Sequence, residues 1–148
     1  MARPALVDSK VPRGKAAFHA ILPALAFLVG GKAGPVIAGA TGLLMALSVV
    51  GGPRYSLFGT LFRTVVRPLL KIGPGKPEEV APHRFAEAIG AVLLIIAGAA
   101  GLAAAPDIIW KSISLLVAAL AALNWIAGIC VGCQMYLLIK RATARAAV

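Results

Sequence analysis

Four stretches of this 148-residue chain are too apolar and too long to be hidden inside a soluble fold of its size. They cover about 16–31, 35–52, 85–105 and 108–139, and roughly 20 residues at ~1.5 Å rise are enough to cross a bilayer as a helix. Small soluble domains leave much of their surface in water, so a sequence that is 60% hydrophobic has no soluble solution at this length. The first two stretches are slightly short, which favours a tight turn between them at Gly30-Gly31-Lys32-Ala33-Gly34-Pro35. The fourth is long and is expected to tilt or to extend beyond the bilayer.

Charge then sets an orientation. The 15 Lys and Arg oppose only 5 acids, a balance that in a soluble protein would suggest nucleic acid. Here the bases lie between the apolar stretches, so anionic lipid headgroups are the simpler counter-charge and no nucleic-acid partner is expected. Arg3, Lys10, Arg13 and Lys15 precede the first stretch, and Arg54, Arg63, Arg67, Lys71, Lys76 and Arg84 lie between the second and third. Lys140, Arg141 and Arg145 follow the fourth, whereas the other two connections hold only Lys32 and Lys111. Positive charge stays inside, so both termini and the long middle connection are expected in the cytoplasm of a bacterial inner-membrane protein. The basic N-terminus ahead of an apolar run also has the form of a secretory signal. The same pattern recurs before the third stretch, which favours a retained first helix.

The two halves resemble one another. Pro12-Arg13 precedes Phe18 in the first, and Pro82-His83-Arg84 precedes Phe85 in the second. Two inside-to-inside hairpins of this kind form parallel repeats about an axis along the membrane normal. Between them, over about 55–71, Phe58, Leu61, Phe62, Val65, Val66 and Leu69 follow three-four spacing, with Arg63, Arg67 and Lys71 opposite. That describes a basic amphipathic helix facing lipid headgroups or a partner, with Pro68 distorting its last turn and residues 73–79 forming a loop. The expected fold is therefore one all-α membrane domain over 1–148: four transmembrane helices as two parallel helical hairpin repeats, with a cytoplasmic interfacial amphipathic helix between them.

The chemistry-bearing candidates are few. The only cysteines form Cys130-Val131-Gly132-Cys133. A CxxC pair brings two thiols within reach of a reversible disulfide. Three readings compete. Cys130 between Gly128 and Gly132 fits a GxxxG packing face, in which cysteine is a small hydrophobe. A redox or sulfur-handling pair needs a break in the helix around Gly132, or nearby arginines to support thiolate, because an unbroken turn strains an i, i+3 bridge and the C-terminal end of a helix favours cations over thiolate. Zinc needs four ligands and would have to recruit His19 and His83, for which the spacing gives no support. Pro23 is expected to kink the first helix, Asn124 to hydrogen-bond between helices, and Glu87 and His19 to lie near an interface or face the bundle. No phosphate loop, nucleophile triad, haem motif or paired glycosidase-type carboxylates occur, and no residue specifically indicates quinone.

Gly52-Pro53-Arg54-Tyr55-Ser56-Leu57-Phe58-Gly59, Pro82-His83-Arg84-Phe85 and Cys130-Val131-Gly132-Cys133-Gln134-Met135-Tyr136 together resemble a bacterial membrane family catalogued as domain of unknown function 4395, over residues 7–139. The histidine inserted into what is usually Pro-Arg-Phe is a departure, as is Pro12-Arg13-Gly14 without an aromatic after the base. The resemblance implies that Arg54, Tyr55, Arg84, Phe85, Cys130, Cys133 and Tyr136 belong to a shared pattern. It also implies a setting among thioredoxin-like and sulfurtransferase proteins. On that basis Cys130 and Cys133 are candidates for thiol–disulfide or sulfane-sulfur handling, with Arg54, Arg84 and Arg63 supporting thiolate or an anion and Cys133 attacking. The alternatives are an accessory subunit of a larger membrane complex, in which the cysteines only pack, and a small-anion transporter.

Overall fold

The computed structural model describes residues 5–52 and 55–146. Arg54, one of the candidate anion-supporting residues, lies outside the described residues. The elements in order are β1 (Leu6–Asp8), α1 (Lys10–Val29), α2 (Ala33–Gly51), α3 (Leu57–Leu61), a π-helical turn (Phe62–Val66), α4 (Arg67–Leu69), β2 (Pro77–Glu79), α5 (Val80–Leu102), α6 (Asp107–Ala127) and α7 (Val131–Ala146). Three of these helices, α2, α5 and α6, are long and apolar enough to cross a membrane.

The turns follow local chemistry. Gly30 and Gly31 both adopt positive φ, which ends α1 and reverses the chain into α2, where Pro35 sits in the first turn and loses no hydrogen bond. Asp107 opens α6, where its charge suits the helix N-terminus, and it accepts bonds from Trp110 Nε1 at 3.2 Å and Lys111 Nζ at 2.9 Å. Trp110 is fully buried, and Gly34 makes room for it: a Cβ there would lie 2.5 Å from Trp110 Cη2.

Small residues set the helix packing. A Cβ on Gly98 of α5 would come within 2.6 Å of Gly39 Cα on α2, and one on Gly42 within 2.9 Å of Ala91 O. Ala38, Leu94 and Ala97 are fully buried beside this crossing. Close backbone approach is how helices gain dispersion contacts where lipid supplies no hydrophobic drive. The Gly98→Val variant is therefore expected to lose about 1–3 kcal/mol of stability through overpacking. Unfolding in a denaturing-detergent titration would register this as an earlier midpoint, with Gly73→Ala, which meets nothing, as control.

The segment expected as one amphipathic helix over 55–71 is helical but irregular. Pro68 has no N–H to offer the carbonyl of Thr64, and its ring would collide with it in a regular helix. The preceding turn widens, with Arg67 N–H bonding to Phe62 O. The apolar stripe divides: Phe58 and Phe62 are buried, Phe58 stacking on Phe18 of α1 at 5.5 Å, while Leu61, Val65 and Leu69 remain exposed. Gly14 leaves room for the Phe62 ring.

Two expectations are corrected. The chain is not purely α-helical, because β1 and β2 pair antiparallel with Leu6 opposite Glu79 and Val7 opposite Glu78, within what read as loop. Asp8 locks this ribbon, accepting from the Lys10 and Gly75 amides at 2.9 Å each and pairing with Arg67 at 3.0 Å. The Lys10 amide first, then the Gly75 amide and the Arg67 guanidinium, hold its carboxyl below the ordinary value. Second, the single helix expected over 108–139 is two. Gly128 takes φ +69, its N–H bonds to Asn124 O, and the chain restarts as α7 at Val131.

Candidate functional site

The break at Gly128 changes the position of the cysteines. Cys130 immediately precedes α7 and caps it: its carbonyl accepts from Gln134 N at 3.1 Å, and its Sγ accepts from Cys133 N at 3.2 Å. The pair thus lies at a helix N-terminus, not within the C-terminal part of a long helix, and the dipole there favours negative charge. The strain argument lapses for the same reason, since Cys130 is outside the helical turn. The two residues form a disulfide with Cα atoms 5.1 Å apart, inside the ordinary range. The GxxxG reading survives only in part. Gly128 is a cap, whereas Gly132 does pack closely, a Cβ there falling 2.6 Å from Ala86 Cβ on α5.

His83, in the first turn of α5, faces the disulfide. Its Nδ1 is 3.5 Å from Cys133 Sγ, and its Nε2 is 2.9 Å from Glu78 Oε2 on β2. With Glu78 accepting from Nε2–H, the Nδ1 lone pair is directed at Cys133. Cys133, His83 and Glu78 come from three elements, and once the disulfide is reduced this geometry can serve a nucleophile, a base and an orienting carboxylate. The ribbon holds Glu78 in register, Gly132 lets α7 approach α5, and Tyr136 seats on Phe85 with ring centroids 5.6 Å apart. The donor atoms of His83, Cys130 and Cys133 also lie within 4.8 Å of one another, so the reduced pair together with His83 offers three ligands to a thiophilic ion. His19, the other histidine considered for zinc, is not in this group.

A family model described as Domain of unknown function (DUF4395) matches residues 7–141. The chain belongs to this family. No curated protein matches it, and no solved structure matches it.

In this DUF4395 chain, Arg63, Arg67 and Arg84 each donate to a backbone carbonyl. Arg84 donates to Val49 O at the C-terminal end of α2 and lines a cleft with Arg63, Lys15, Ser48 and Ser56, whereas Cys130 lines a different one. Arg63 Nε donates to Gly59 O at 3.2 Å, Arg67 holds Asp8 and donates to Ile72 O at 3.2 Å, and Lys71 is exposed at positive φ. The guanidinium of Arg13 fills the space beside Gly128, where any Cβ would collide with it. Cation and helix C-terminus suit one another at both places.

Sequence reasoning missed Glu78, assigned to loop, and gave His83 no role but hypothetical zinc. The available signal was the departure itself, a histidine added to an otherwise shared Pro-Arg-Phe motif. Glu87 and His19 do face the bundle. Lys15 Nζ donates to Glu87 Oε2 at 2.7 Å and to Ser48 Oγ at 3.1 Å, and His19 Nε2 stands 4.0 Å from Glu87 Oε1.

Proposed function

We propose that this DUF4395 protein is a four-span inner-membrane protein that handles thiol–disulfide or sulfane-sulfur exchange at Cys130 and Cys133 on the cytoplasmic side. The observation that carries the reading is the Cys133–His83–Glu78 chain at the N-terminus of α7. A packing cysteine has no need of an oriented imidazole. In the dithiol state His83 Nδ1 takes the Cys133 proton and the thiolate attacks the outer sulfur of a partner's disulfide or persulfide. With a disulfide, the partner's other sulfur leaves as thiolate, and Cys130 then attacks Cys133, releasing the reduced partner and closing the Cys130–Cys133 bond. With a persulfide, Cys133 becomes a persulfide as the partner thiol departs. Cys130 then attacks Cys133 Sγ and releases hydrosulfide. A soluble thioredoxin-like or sulfurtransferase protein is the partner this chemistry fits.

The orientation rests on the bias of thirteen bases to two between alternate connections. The fourth span is the C-terminal part of α1, which carries Lys10, Arg13 and Lys15 at its cytoplasmic end. Local geometry supports two parallel repeats. Gly52 and Gly128 end α2 and α6 at positive φ, and Ser56 Oγ caps α3 from Gly59 N at 3.2 Å as Cys130 Sγ caps α7. Arg84 sits at the C-terminal end of α2 and Arg13 at that of α6, while Phe18–Phe58 and Phe85–Tyr136 dock each following helix. Cys130 thus takes the place of the first repeat's capping serine, and Cys133 that of Gly59. In this setting the exposed Leu61, Val65 and Leu69 lie against lipid and Arg63 and Lys71 at the headgroups.

Trapping tests it. The Cys130→Ser variant in inverted membrane vesicles, challenged with an oxidised thioredoxin-like protein, is expected to accumulate a mixed disulfide through Cys133. Cys133→Ser is expected to form none. Two cysteines that stay unreactive from the cytoplasmic face, with serine variants indistinguishable from wild type, would sink the proposal and leave the accessory-subunit reading.

A further inference from the structure

A second feature adjoins Cys130. Between α1, α5, α6 and α7 runs a cleft of ≈160 Å³ that Cys130 lines together with Lys15, His19, Glu87 and Asn124. Two polar atoms there, His19 Nε2 and Glu87 Oε1, are buried without a hydrogen-bond partner, and both side chains are nine-tenths buried, at 10% exposure. Orphaned polar atoms of this kind are costly unless something occupies the space in front of them. We propose that the occupant is a membrane quinone, which takes the electron pair of the Cys130–Cys133 dithiol; this rests on the redox reading of that pair.

The wall decides the chemical class. Lys15 is already matched by Glu87, so the cleft carries no uncompensated cation for an inorganic anion, which would meet the Glu87 carboxylate instead. Apart from His83 beside the cysteines, the remaining lining is apolar, including Leu93, Val117, Leu120 and Met135. Leu120 and Met135 are 38% and 47% exposed, so the mouth opens among apolar side chains that face lipid in a membrane. A neutral, flat, lipid-soluble ring with oxygens at its edge fits this site. Its carbonyl accepts from His19, and after reduction its hydroxyl donates to Glu87 Oε1. The reaction balances: the two S–H bonds break, the S–S bond forms, and two electrons and two protons convert both quinone carbonyls to hydroxyls. Thiol–disulfide exchange is reversible, so a reduced soluble dithiol partner re-forms the Cys130–Cys133 dithiol by the reverse of the exchange described above, leaving as its own disulfide, and the cycle carries its electrons into the membrane.

Binding and electron transfer are read separately. Decylubiquinone is titrated into the protein in nanodiscs, following quenching of Trp125, which adjoins Asn124 on α6. Saturable one-to-one binding is expected in wild type. It is expected to weaken at least about tenfold in Ala121→Phe, which fills the cleft, and in Leu120→Phe at its rim. Both variants are first shown to retain wild-type disulfide exchange with a small soluble disulfide. Reduced wild type is then expected to yield one quinol per Cys130–Cys133 disulfide formed. Absent binding, binding indifferent to both phenylalanines, or binding without quinol formation would each overturn the inference. Failure here with intact disulfide exchange leaves the proposed function standing, whereas cysteines inert to every thiol partner remove that function even if quinone binds.

Discussion

His83→Gln is expected to slow attack by Cys133 on a partner disulfide by about 10–30-fold at neutral pH, because a thiol of ordinary pKa is only a few per cent thiolate there without a base. Glutamine keeps much of the imidazole's size and hydrogen-bonding capacity but cannot take the thiol proton. His83 Nδ1 is the basic atom at Cys133 Sγ, so the loss falls on thiolate formation, not on docking. Two controls separate this from a structural role. At pH well above the ordinary thiol pKa of ~8.5, hydroxide supplies the thiolate and the variant's rate should converge on wild type. Glu78→Gln, which leaves the base and weakens only its orientation through the 2.9 Å bond, should cost a smaller factor than loss of the imidazole. Stopped-flow measurement of mixed-disulfide formation in the Cys130→Ser background gives both rates directly. A pH-independent deficit in His83→Gln would mean that the imidazole only packs.

The parts of this molecule that were legible in its sequence are those written in local, repeated signals. Long apolar runs marked the helices, and Gly30-Gly31 marked a turn because glycine alone tolerates two successive positive φ values there. Gly128 carried an ambiguous signal. In a continuous apolar run a glycine four residues before another reads as a packing face, and only tertiary contact reveals it as a cap. Arg13 fills the space a side chain would need and sits 115 residues away in sequence, so no window over 108–139 contains the cause. That one misreading carried the helix direction at the cysteines with it. The same limit hid the base. His83 and Cys133 are 50 residues apart, and Glu78 reaches the histidine because Val7 pairs with it across a ribbon too short to show alternation. Pro68 was read correctly as a disturbance, although its effect is one turn earlier than expected, at the carbonyls its ring would strike.

Glu87→Leu is expected to destabilise the fold by about 3–5 kcal/mol, the cost of leaving a buried partner charge unpaired. Lys15 would retain only the Ser48 hydroxyl at 3.1 Å, with its side chain 14% exposed. Lys15→Met should cost a comparable amount by stranding Glu87 beside His19, whose Nε2 at 4.0 Å makes no hydrogen bond to it. The double variant is the informative one. Because desolvating both charges offsets much of their attraction, Lys15→Met/Glu87→Leu should recover to within about 1 kcal/mol of wild type or exceed it. Unfolding midpoints in denaturing detergent for all four corners of the cycle give the coupling. A stable double variant means the ion pair is not retained for the stability of the helix bundle, and intramembrane charges kept at no gain in stability point to function. That variant should then keep Cys130–Cys133 exchange with soluble disulfides while losing decylubiquinone binding. If it folds and still binds the quinone, the polar wall is not what holds the ligand.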